Sequence, residues 1–96
     1  MIKSTNNSTF PEAAHLIGKK VWAGSPGYEM PEVIMHVRET DAYGKDGLRI
    51  RIEFDSDFST NMSLGDFEHF LKQGEAVFVR WFGSRHDRAA ETIALA

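Results

Sequence analysis

The most constraining feature of this chain is the run LRIRIEF, residues 48–54, preceded by the turn-rich DAYGKDG of residues 41–47. Leu48, Ile50, Ile52 and Phe54 alternate with Arg49, Arg51, Glu53 and Asp55. A period of two with that contrast specifies a strand with one dry face and one wet, charged face. Upstream, EVIMHVRET also alternates, with Val33, Met35 and Val37 against Ile34, His36 and Arg38. The Asp-Gly that closes the intervening segment favours reversal, so the two runs are expected to form a hairpin.

A sheet with one dry face needs a cover. LGDFEHFLKQ, residues 64–73, supplies it: Leu64, Phe67, Phe70 and Leu71 fall on one stripe at helical spacing. Ser63 is placed to cap this helix, with Asp66 as the third residue of a variant capping box, and Gly74 is placed to end it. KKVWAG, residues 19–24, reads as a brief strand, and SPGYEMP, residues 25–31, as a loop. EAVFVRWF, residues 75–82, reads as a strand apolar on both sides, which suits an interior position. TFPE, residues 9–12, offers a cap for a first short helix that Gly18 would stop.

These elements predict an α+β fold: a small, mostly antiparallel sheet of about four strands with one main helix packed on one face, in the order α-β-β-β-α-β plus a C-terminal tail. Residues 1–8 are polar and are expected to be disordered. Residues 9–83 form the single domain in this reading. Residues 84–96 carry helix formers with little apolar content and are read as a tail or marginal helix.

Ninety-six residues suffice for one modest core, and 42% hydrophobic with 26% charged residues is the balance of a folded chain. Without cysteine there is no disulfide framework and no thiolate ligand, which suits a reducing, cytoplasmic setting. No apolar run approaches the roughly twenty residues of a membrane span, and the first residues do not resemble a secretory signal. A formal charge of −3 argues against a generic polyanion binder.

DSDFSTNMSLGD, residues 55–66, carries oxygen-bearing side chains at the spacing of a calcium loop: Asp55, Asp57, Ser59, Asn61, Ser63 and Asp66. It departs from that pattern where it matters. The sixth position is Thr60 rather than glycine, the twelfth is Asp66 rather than a bidentate glutamate, and a strand precedes it instead of a helix. The same residues serve as turn formers and a helix cap, and that is the reading preferred, with a calcium site at Asp55, Asp57, Ser59, Asn61 and Asp66 kept as a lesser alternative.

FVRWFGSRHDR, residues 78–88, interleaves aromatics with arginines, the mix that stacks bases and holds phosphates. A nucleic-acid reading would rest on Arg80, Trp81, Arg85 and Arg88. Ser84, His86 and Asp87 are too close in sequence to form a hydrolytic triad. The four histidines show no metal-ligand spacing, and no glycine-rich phosphate loop is present, so neither an enzyme nor a cofactor is expected. What remains is surface chemistry. Tyr28 and Met30 in the proline-bounded loop, Tyr43 at the hairpin tip, Trp22, and Phe78, Arg80, Trp81 and Phe82 on the last strand are the residue types that anchor interfaces. The sequence therefore points to a non-catalytic protein-interaction module, an adaptor, inhibitor or self-associating subunit, bound to a protein partner or a second copy.

Overall fold

The computed structural model describes residues 11–40, 49–81 and 88–96, the side chains of Pro11, Glu12 and Trp81 excepted. A short 3-10 helix, Pro11–Leu16, leads into strands β1 (Lys20–Gly24), β2 (Met30–Thr40), β3 (Arg49–Phe54) and β4 (Ser59–Ser63). Helix α1 (Leu64–Gln73) follows directly, then β5 (Glu75–Trp81) and β6 (Arg88–Leu95). All pairings are antiparallel, in the spatial order β4-β3-β2-β1-β6-β5. The four-stranded sheet with a main helix on one face is thus corrected: the described residues form an open six-stranded antiparallel sheet with one α-helix.

Two strands account for the difference. STNMS looks like a connector because it is polar, yet Thr60 and Met62 turn inward and are buried while Ser59, Asn61 and Ser63 turn outward, so it pairs along β3 as an edge strand. The segment expected as a tail or marginal helix is β6, which lies between β1 and β5. Its alanines and glutamate favour helix locally, but strand pairing on both sides and burial of Glu91 and Ile93 override that preference. Because β6 takes the interior place, β5 sits at an edge of the sheet, contrary to the interior position its sequence suggests.

The expected hairpin is β2–β3, registered from Ile34 opposite Phe54 to Thr40 opposite Arg49. Its register shifts between Ile34 and His36, a bulge at Met35 that brings both Ile34 and Val37 onto the buried face. Strict alternation through residues 33–38 is corrected accordingly. Asp55 completes the end of this hairpin: its backbone N–H donates to the Val33 carbonyl at 3.0 Å, and its Oδ1 accepts from the Val33 N–H at 3.4 Å.

The sheet curls so that its edges β4 and β5 approach each other, with α1 packed against β3, β4 and β5. Phe67 and Phe70 on α1 join Val21, Ile34, Val37, Ile50, Ile52, Met62, Phe78 and Ile93 in one continuous core. The helix ends are those the sequence specifies. The Ser63 hydroxyl accepts from the Asp66 N–H at 3.1 Å, and Gly74, at φ 82°, donates its N–H to the Phe70 carbonyl at 2.8 Å.

Candidate functional site

With the core on the inner side of the curl, the outer side is left to solvent, and its two halves differ in chemistry. Residues paired across neighbouring strands share a face, so register reads out the surface row by row. Over β1, β6 and β5, one row is Trp22, Ala94 and Glu75, and the next is Gly24, Thr92 and Val77. Ala90 beside Val79 continues it. Small residues on the middle strand between larger ones on its neighbours make a trench: Trp22 stands on one side and Glu75 with Val77 on the other, about 10 Å apart across two strand spacings.

The cleft so formed measures about 590 Å³, and Glu29 and His69 also line it. The apolar residues of its walls are open to solvent, Trp22 being 47% and Val77 66% exposed. Val79 is exposed beside them. Glu29 reaches the floor from the β1–β2 loop. Its Oε2 accepts from the Gly27 N–H at 3.2 Å and lies 3.2 Å from the Thr92 hydroxyl, which has the Gly24 carbonyl at the same distance as a second acceptor. Hydrogen bonds from its own backbone N–H, from the Gly27 N–H and from Thr92 hold the Glu29 carboxyl below its ordinary range, so it is ionised at neutral pH. Gly24 permits the loop that delivers it: φ is 144°, and a side chain there would meet the Tyr28 carbonyl oxygen at 3.2 Å.

Over β2, β3 and β4 the outer face is mainly polar and charged, with the exposed Met35 and Phe58 at its border. Glu53 gathers two cationic partners, Arg38 Nη2 at 3.1 Å and Arg51 Nε at 3.1 Å, with His36 Nδ1 at 3.5 Å beside them. Arg38 and Arg51 stand directly opposite each other, an arrangement that would repel without the carboxylate between them. Arg49, expected on the wet face, is nearly buried there, held to the Asn61 side-chain and backbone oxygens at 3.1 and 3.3 Å.

The residues singled out from the sequence scatter over these surfaces. Tyr28 is 80% exposed on the β1–β2 loop, whereas Met30, expected in that loop, opens β2 opposite the inward-facing Ala23 and is exposed there. Phe78 is corrected: at 3% exposure it belongs to the core, because alternation along β5 turns Ala76, Phe78 and Arg80 inward and Val77 and Val79 outward. Tyr43, Phe82 and Arg85 lie outside the described residues, as does the Trp81 side chain.

The nucleic-acid set is divided by the sheet. Arg80 shares the inner face with Glu91, 3.9 Å from its carboxylate, whereas Arg88 pairs with Trp81 one position out of phase and is exposed. The calcium set is not gathered either. Asp55 and Asp57 belong to the β3–β4 turn, where Asp57 adopts φ 74°, Ser59 and Asn61 lie along an extended strand, and Asp66 caps α1. Extension of residues 59–63 at about 3.3 Å per residue separates oxygens that a calcium loop would fold around one point. Among the described residues no group of three or more His, Cys, Asp or Glu could hold a metal ion.

The trench itself was only half legible. Alternation separates Val77 and Val79 from Phe78, although Phe78 rather than the valines is the interface residue expected from the sequence, and Trp22 is an evident surface aromatic. Glu29, Glu75 and Thr92 carry no local signal, because only the pairing of β1 and β5 with the unanticipated β6 brings them together. Compared with known proteins, the chain matches no family model, no curated protein and no solved structure. Among the described residues no helix is long and apolar enough to cross a membrane.

Proposed function

We propose that this chain is a non-catalytic protein-interaction module that binds a protein partner through the outer face of β1, β6 and β5. The observation that carries the reading is the solvent-open apolar surface of Trp22, Val77 and Val79, with Tyr28 exposed on the adjoining β1–β2 loop. Burying such a patch releases roughly 25 cal/mol per Å² of apolar area, and aromatic side chains supply the anchors typical of interface centres. The charged half of the same face, with its cations engaged by Glu53, would form a solvated surround. A cytoplasmic setting belongs to the same reading and rests on the cysteine-free composition.

Capture from extract of the native host with the full chain, set against a Val77→Lys/Val79→Lys variant, tests the proposal. Both positions face solvent, so the variant keeps its core, and a co-purifying protein should be lost from it. A partner retained equally by both chains removes this surface from consideration. Light scattering during size-exclusion distinguishes a second copy from a different partner.

A further inference from the structure

The trench is not simply apolar. Glu29 and Glu75 line the same cleft as the exposed Trp22 indole, Glu75 from the facing wall, with Thr92 and Ala94 between the walls. A cleft that holds an aromatic face and two carboxylates favours a cation over an anion. The Glu29 carboxylate is moreover held in place through Oε2, by the Gly27 N–H and the Thr92 hydroxyl. Lys20 follows the same strand face as Trp22 but does not line the cleft, and among the described residues His69 is the other ionisable side chain that does.

We propose that this cleft receives a basic side chain, arginine foremost, presented by the protein partner. The assignment rests on the interaction reading above and names the chemistry that partner must carry. Guanidinium fits better than ammonium for two reasons. Its plane stacks on the Trp22 indole while its edge donates to a carboxylate, and it is less strongly hydrated than a lysine head group. Val77 and Val79 continue the trench with apolar wall, so the matching segment places its arginine next to apolar residues. The net charge of −3 favours approach of such a segment.

The test is an NMR titration of the full, nitrogen-15-labelled chain with acetyl-arginine amide, acetyl-lysine amide and the uncharged isostere acetyl-citrulline amide. The arginine probe should produce saturable millimolar shifts at the Trp22 indole N–H and at the Thr92 and Gly27 amides, with lysine weaker and citrulline ineffective. Glu29→Gln and Glu75→Gln should each weaken arginine binding about twofold to fivefold. Trp22→Leu should weaken it about threefold or more, while the dispersion of the remaining spectrum reports an intact fold. Equal shifts from citrulline, or no saturable shift at Trp22, overturn the assignment. If arginine does not bind yet the lysine double variant still loses a captured protein, the interface stands and only the partner chemistry is wrong. Arginine binding by a chain that captures no protein refutes the interface, and with it a protein source for the cation.

Discussion

Replacement of Ile93 by alanine tests the least anticipated part of the fold, the threading of β6 through the middle of the sheet. Ile93 is fully buried and lies in register with Ala23 on β1 and Ala76 on β5. Its neighbours across the strands are therefore small and cannot expand to refill the space. Removing three carbons forfeits about 2.4 kcal/mol at roughly 0.8 kcal/mol per methylene. The unfilled cavity raises the cost to about 3–4 kcal/mol, within the range of buried isoleucine-to-alanine changes. For a chain of this size each kcal/mol moves the melting temperature by about 4–8 °C, so the variant should melt roughly 12–30 °C lower. Thermal and urea unfolding followed by circular dichroism measure this, with an unchanged urea slope marking a pure stability effect. Ala90→Ser, on the exposed face of the same strand, is the control and should stay within about 0.5 kcal/mol. A loss below about 0.5 kcal/mol for Ile93→Ala would mean that β6 contributes nothing to the core.

Three further outcomes follow from single residues. Among the described residues the buried Thr60 hydroxyl finds no hydrogen-bond partner, so Thr60→Val, which keeps the shape and the strand preference, should stabilise by about 1–2 kcal/mol in the same melts. Asp57 holds φ 74° in the β3–β4 turn; Asp57→Gly should be neutral or stabilising by up to about 1 kcal/mol, and Asp57→Val should destabilise by about 1–2 kcal/mol. Glu29 has a folded-state pKa below its ordinary 4.5, so it contributes stability above that value that is lost as pH falls through the lower folded one. The stability difference between wild type and Glu29→Gln should accordingly be constant at neutral pH and shrink in acid, and a difference independent of pH would contradict the hydrogen bonds assigned to Glu29.

Local signals were read correctly where one residue type has one use. Ser63 and Gly74 bound α1, Phe67 and Phe70 form its buried stripe, and Ile50, Ile52 and Phe54 mark the inner face of β3. The errors lie where tertiary pairing decides. In β4 the serines and asparagine are polar because they face solvent on an edge strand, and that composition resembles a connector. In β6 Ala90 and Ala94 lie on the outer face, with Ala94 lining the trench, and alanine is a helix former when read alone. The bulge at Met35 shifts alternation by one residue without any glycine or proline to announce it. Of the two aspartates whose oxygens suggested a cation, Asp55 is bonded to the Val33 amide and Asp57 takes the left-handed position of the β3–β4 turn.

The central claim is that the chain meets its partner over the trench on β1, β6 and β5. It is tested most directly by photo-crosslinking in the native host, with a benzoylphenylalanine residue placed at Val77 in one full-length chain and at Arg51, on the charged half of the same face, in another. The account predicts a discrete covalent protein adduct from position 77 and none from position 51. An adduct from Arg51 alone, or none from Val77, would contradict it.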